Sequence, residues 1–297
     1  MSVDSTGRYL VTGYVPSMAL SIVAGACFSV LSAIFTYFFF KSRSHRWMLS
    51  LTIGSICMSI GFFVRIAMTN DPYGLTIYII TTLLTLLSPC AFLAHAYLLL
   101  PRLATALDAS DCLLLRPRLI ARTFVWIDVT VFLLQAAGGG MTAISNRSIT
   151  DAGLKIALIG LIAQCISFGA FCLLVAVFAW KLRKHHPQKW SGSTSSWRTN
   201  WRVVYYALIW TCVFILIRCA FRVAEYSEGY SGKLRTTEWY IYTFDTLSLF
   251  VGIAIWAIVW PPRYLDAADD KTVKGTTLGS EEMMVRNPGG HEVQQKY

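Results

Sequence analysis

The apolar positions of this chain neither alternate nor fall on a single helical stripe; they run on unbroken. Seven stretches, Ser17 to Phe40, Trp47 to Met68, Leu75 to Leu100, Thr123 to Ile144, Ala152 to Trp180, Val203 to Glu225 and Trp239 to Trp260, are each longer than twenty residues. About 20 apolar residues span a hydrocarbon core as a helix, whereas a barrel strand needs about 10 of alternating polarity. The pattern therefore predicts an all-α polytopic integral membrane protein, a seven-transmembrane-helix bundle over 17–260. A short segment, 1–16, precedes it. A polar tail, 261–297, follows it; Pro261 and Pro262 stop the last helix, and Asp266, Asp269, Asp270 and Lys271 leave too few apolar residues to fold. The first stretch exceeds the apolar core of a signal peptide and has no basic run before it, so it reads as a retained helix.

Composition agrees. Of 297 residues, 55% are hydrophobic and 14% charged, against about 25% charged in soluble domains. The formal net charge of +10 is unevenly placed. Thirteen cations sit in three alternate loops: Lys41, Arg43 and Arg46; Arg102, Arg116, Arg118 and Arg122; Lys181, Arg183, Lys184, Lys189, Arg198 and Arg202. The other side holds four, Arg8, Arg147, Lys233 and Arg235. The positive-inside rule puts the amino terminus outside and the tail in the cytoplasm. Topology thus accounts for the basic balance without nucleic acid as a partner. The eight cysteines lie in spans or, for Cys112, in a basic loop; they read as packing residues, not a disulfide framework. Asn146-Arg147-Ser148 is a glycosylation sequon close to the membrane.

A charged side chain near mid-bilayer costs about 2.5 to 3.5 kcal/mol on insertion scales, so one that remains needs a partner or a task. Arg65 lies near one end of the second span. Arg218, Arg222 and Glu225 are spaced four and three apart on one face of the sixth, and Glu238, Tyr242 and Asp245 repeat that spacing in the seventh. Three cations and three anions can thus form a neutral network across spans two, six and seven. It reads either as a packing clamp or as a group that also meets substrate headgroups or moves in a transport cycle. Nearer the basic loops, Asp128 and Gln135 share a face of the fourth span, and Asp128 is a candidate for proton exchange. His95 reads as a satisfied interfacial histidine. Trp47, Trp180, Trp239, Tyr240 and Trp260 read as an interfacial belt. Pro89 and Gly138 to Gly140 allow a kink or close helix approach.

No phosphate-cradling Gly-Lys-Ser/Thr loop, His-Glu-x-x-His, Gly-x-Ser-x-Gly or Cys-x-x-Cys occurs. The expectation is a non-enzyme with no cofactor and no metal. His185-His186 reads as a solvated turn. The last span has no lysine for a retinal Schiff base, which argues against an opsin.

With the spans placed, the chain resembles the fungal lipid-translocating exporter family, the RTA-like proteins. The resemblance is carried by Arg218, Arg222, Glu225, Gly229, Gly232, Glu238, Trp239-Tyr240, Tyr242 and Phe244-Asp245, through Pro261 and Arg263. Gly61 with Arg65, Pro89 through Ala94 to Tyr97 and Arg102, Asp128 with Gln135, and Gly153, Gly160, Leu161 and Gln164 extend it over about residues 55 to 265. Met58 and Phe62 depart from the pattern, where an acidic residue and a tyrosine are expected. The resemblance implies a fungal protein, mostly of the plasma membrane, linked to export or transbilayer movement of sphingoid long-chain bases and to resistance to toxic amphiphiles such as aminosterols. The leading expectation is an ATP-independent translocase of amphiphilic lipids, with one cavity between helices bounded by Arg65, Arg218, Arg222, Glu225 and Asp245 outside and Asp128 inside, and with Glu238 and Gln135 as further candidates. A seven-helix receptor, or a regulator of lipid asymmetry that transports nothing, are the rivals.

Overall fold

The computed structural model describes residues 17–42, 46–70, 74–142, 147–191, 200–229, 232, 234 and 237–265. The segment 1–16, the sequon residue Asn146 and the tail from 266 onward lie outside the described residues. Seven helices are long and apolar enough to cross a membrane. They are α1 (Met18–Lys41), α2 (Leu49–Asn70, entered through a tight turn at Arg46–Met48), α3 (Leu75–Ala106), α4 (Pro117–Thr142), α5 (Arg147–His185), α6 (Trp201–Ser227) and α7 (Glu238–Ile258). No strand occurs among the described residues.

The helices outrun the apolar stretches where polar residues can still be solvated at the membrane surface. α3 continues six residues past Leu100, α4 begins six before Thr123, and α5 runs from Arg147 to His185. A helix satisfies its own backbone hydrogen bonds, so nothing makes it stop where the hydrocarbon stops. α6 begins at a side-chain cap, with Asn200 Oδ1 accepting the Arg202 N–H at 3.0 Å. α7 ends at Ile258, ahead of Pro261. Contrary to the expected unstructured tail, 261–265 turns helical again and buries Tyr264 and Leu265 against the bundle.

Successive helices pack side by side, α7 returns to α1, and α3 reaches across to α6. The short loops make neighbours antiparallel. One end of the bundle carries the basic loops and is called the basic end; at the other, α2 and α6 finish and α3 and α7 begin. Burial runs inside out relative to a soluble protein. Ile166 and Leu173 are 69% and 67% exposed, facing where lipid would be, while Asp128, Gln135, Gln164, Arg218, Glu225 and Asp245 are buried. Lipid is as apolar as leucine, so the helices are held by close packing and by polar contacts inside. α4 shows both: Ile120, Phe124, Asp128, Val131, Gln135, Gly138 and Thr142 form its buried face. A Cβ on Gly138 would stand 2.6 Å from the Gly153 carbonyl, so the absence of side chains at these two glycines sets the α4–α5 contact. Gly140 faces open space and Gly139 has only ordinary contact, so of the three glycines only Gly138 is needed for approach.

The aromatic-belt reading holds for Trp180, Trp239 and Tyr240, which are exposed, and fails for Trp47 and Trp260, which are buried at 7% and 2%. Trp47 lies parallel to His95 with centroids 5.3 Å apart, and His95 meets Trp256 edge-on at 5.0 Å. His95 is therefore no interfacial residue. It is fully buried between two indoles, and neither ring nitrogen has a hydrogen-bond partner among the described residues.

Candidate functional site: a buried ion network beside two cavities

After the first turn of α7 the backbone widens into π-type turns over Ile241–Leu247. Such bulges re-aim side chains and recur at functional positions. This one buries Asp245 against α6. Arg222 grips the Asp245 carboxylate with both edges of its fork, Nε donating to Oδ1 at 2.7 Å and Nη2 to Oδ2 at 2.6 Å. Its Nη1 donates to Glu225 Oε2 at 3.2 Å, one turn on. Arg218 adds an ion contact from the turn below, Nε 2.9 Å from Asp245 Oδ1. The planar fork of arginine suits such bidentate pairing, and the 218, 222, 225 spacing puts all three side chains on the face that meets α7.

The remaining pair of the expected network lies alongside. Arg65 Nη2 is 3.8 Å from Glu238 Oε1, and its guanidinium stands 5.7 Å over the Tyr242 ring. Glu238 also accepts the Ser17 N–H at 2.8 Å, and the Tyr242 hydroxyl bonds the Ser21 hydroxyl at 2.9 Å, which ties in α1. All six charged residues proposed from spacing thus meet at one end of the bundle, in two adjoining groups. Arg218, Glu225 and Asp245 are at most 5% exposed, so each charge depends on its neighbours.

Two cavities touch this network. The larger, about 100 Å³, lies between α2, α3, α6 and α7 and is lined by Arg65, Arg222 and Glu225 with Tyr78, Thr81, Thr82 and Thr85 of α3. Deeper, Leu86, Pro89, Gln135, Gln164, Arg218 and Arg222 enclose about 10 Å³, room for one water. The two share Leu86, Arg222 and Tyr226, so Arg222 stands between them. Gln135 Nε2 donates to Gln164 Oε1 at 2.9 Å, and Gly160 leaves the space that lets Gln135 lie against α5.

The expected single cavity bounded by all these residues needs correction. Asp245 and Glu238 line neither space; they hold the arginines from behind. Asp128 lines neither as well. It is buried further toward the basic end, its carboxyl facing the Tyr97 hydroxyl of α3 without a hydrogen bond of normal geometry. Asp128 and Gln135 share a helix face, but seven residues along α4 place them at different depths.

The threonines of α3 were missed. Tyr78, Thr81, Thr82, Thr85, Leu86 and Pro89 follow the three-four spacing of one helix face, and all line a cavity. A polar stripe in an otherwise apolar span was the available signal. His186 lies in an exposed turn, and its Nε2 is 3.1 Å from Asp111 Oδ2 beside the buried Cys112, a contact between two loops 75 residues apart that sequence reasoning did not foresee. That contact holds the Asp111 carboxyl below its ordinary range.

A lipid-facing exterior, a charged interior and seven spanning helices define a polytopic α-helical integral membrane protein. Within that class the chain belongs to the RTA1-like protein family, whose model matches residues 51–268. It is 33% identical over 208 residues to Protein RTA1 of Saccharomyces cerevisiae, covering 70% of this chain and 63% of that protein. It is 29% identical over 205 residues to Protoporphyrin uptake protein 1 of the same yeast, covering 69% of this chain and 65% of that protein. It is 22% identical over 278 residues to the yeast Sphingoid long-chain base transporter RSB1, covering 84% of this chain and 72% of that protein. The chain thus spans less than two thirds of the length of the first two relatives. No solved structure matches it.

Proposed function

We propose that this protein is an ATP-independent transporter or translocase of amphiphilic lipids, of which sphingoid long-chain bases and aminosterol-like amphiphiles are the proposed examples. It would lie in a fungal membrane, with the plasma membrane proposed. We further propose that the basic end faces the cytoplasm and the ion network faces outward.

The observation that carries this reading is the placement of the network: Glu225 and Arg222 line the 100 Å³ cavity while remaining paired to each other. A cationic headgroup entering there meets Glu225 and competes with Arg222 for it. Arg222 need not be left uncompensated when it lets go, because Asp245 still holds it through two bonds. The threonines of α3 supply neutral hydrogen-bonding partners for hydroxyls on the same headgroup, and the apolar tail stays in lipid. The names of two relatives, one for sphingoid base transport and one for protoporphyrin uptake, support amphiphiles as the substrate class.

The test is translocation of a labelled sphingoid base in liposomes containing the purified protein and no nucleotide. Movement faster than in protein-free liposomes is expected, with E225Q slower by about tenfold, the loss of one charge-assisted contact. Wild-type protein that binds the base yet moves none of it would sink the transporter reading and leave the receptor.

A further inference from the structure

We propose that the groove at the basic end, between the start of α2, the end of α3, the start of α4 and the 261–265 turn, is a binding site for an acidic phospholipid, whose phosphate sits between Arg102 and Arg118. The groove encloses about 430 Å³, the largest of the described cavities, and lies at the end of the bundle away from the ion network. Its lining is graded as an amphiphile is. On α3, Leu98 lies one turn deeper than Arg102; on α4, which runs the other way, Ala121 lies one turn deeper than Arg118. Both arginines are exposed at the rim, and Leu265 closes one side with apolar surface.

The charge is unbalanced. Neither guanidinium has a carboxylate partner among the described residues, and no carboxylate lines the groove. Arg102 is held instead by Trp47, 4.9 Å from the ring centroid. A guanidinium stacked on an indole has its plane fixed while its N–H edge stays open to an acceptor. Trp47 is fixed in turn by stacking on the buried His95, which itself meets Trp256 edge-on, so this wall is braced from behind. Two arginines lining one apolar trough fit a phosphate ester that carries acyl chains. Free phosphate would leave the trough empty, and a zwitterionic headgroup would bring one phosphate charge already countered by its own ammonium, so a phosphomonoester matches the two cations better. Basic pockets between spanning helices are suited to acidic lipid headgroups. The site does not depend on which substrate the other end handles.

The experiment is lipid retention by the full-length protein under native mass spectrometry, titrated with phosphatidic acid and with phosphatidylcholine of the same chains. Phosphatidic acid is expected to bind more tightly by about tenfold. R102Q and R118Q should each remove most of that preference. R116Q/R122Q, which removes two charges outside the groove lining, should leave the preference intact. Equal retention of the two lipids, a preference that survives R102Q/R118Q, or an equal loss in R116Q/R122Q would overturn the site. Competition by glycerol phosphate at the lipid's own concentration would reassign it to free phosphate and also overturn the proposal. The chain's own acidic tail is the remaining occupant. If D266N/D269N/D270N binds phosphatidic acid and the wild type does not, the tail fills the groove and the proposal fails.

Discussion

The two ends of this bundle solve the same problem in opposite ways. Where α2 and α6 end and α7 begins, polar groups buried among spans answer one another: Arg222, Arg218 and Glu225 converge on or around Asp245, and Arg65 meets Glu238. At the basic end the polar groups rest on aromatic rings instead. Among the described residues the buried His95 lies between Trp47 and Trp256 without hydrogen bonds, and the exposed Arg102 rests on Trp47 with no carboxylate partner. The first arrangement is held by charge, with Asp245 the anion that Arg222 and Arg218 share. The second is held by shape, which makes its polar atoms dispensable for folding and leaves its cations open to a ligand.

The sharpest way to break this contrast is Asp245→Asn, which strips the shared anion from Arg222 and Arg218. Breaking a buried, hydrogen-bonded pair costs about 3–5 kcal/mol, and a corresponding drop in stability is expected on thermal unfolding in detergent. Arg65→Gln, at a longer and more open contact, should lose only about 0–1 kcal/mol. Equal losses would mean the network is not organised around Asp245. At the other end His95→Phe keeps the stack and removes two buried nitrogens that lack partners. It should leave stability unchanged or raise it by about 1 kcal/mol; a clear loss would reveal a hydrogen-bonding role for the imidazole. The smallest effect belongs to the exposed Asp111–His186 contact. The Asp111 carboxyl is depressed in the folded protein, chiefly by its bond to His186. Its contribution is therefore present above the ordinary carboxylate range and lost as pH falls through the folded value. The difference in melting temperature between wild type and D111N should accordingly shrink on acidification, and a difference that grows instead would reverse the sign assigned here.

Spacing was a good guide where the interaction is local. Arg218, Arg222 and Glu225 share a face because a helix repeats every 3.6 residues, and three anions against three cations in an apolar setting leave few other arrangements. Spacing misled where partners come from different helices. Trp47 and Trp260 sit at the ends of apolar stretches just as Trp180 and Trp239 do, and only packing separates the buried pair from the exposed pair. Asp128 and Asp245 read as the inner and outer carboxylates of a single path, but neither lines the two cavities beside the network. The threonine stripe of α3 was legible and passed over, because threonine carries no charge to draw attention in an apolar run.

From its sequence alone this chain was bound to be a seven-helix membrane protein, since no other structure satisfies the backbone of seven such long apolar runs in lipid. The sequence also marked which charges could find one another on spans two, six and seven, because a charge in hydrocarbon is costly without a partner. The tertiary structure decided which of them face a cavity and which stand behind it, and where a groove opens with its cations unanswered. Those outcomes depend on the relative rotation and depth of neighbouring helices. They are set by contacts such as Gly138 on Gly153 and the π-turns around Asp245, in which residues far apart in the chain meet.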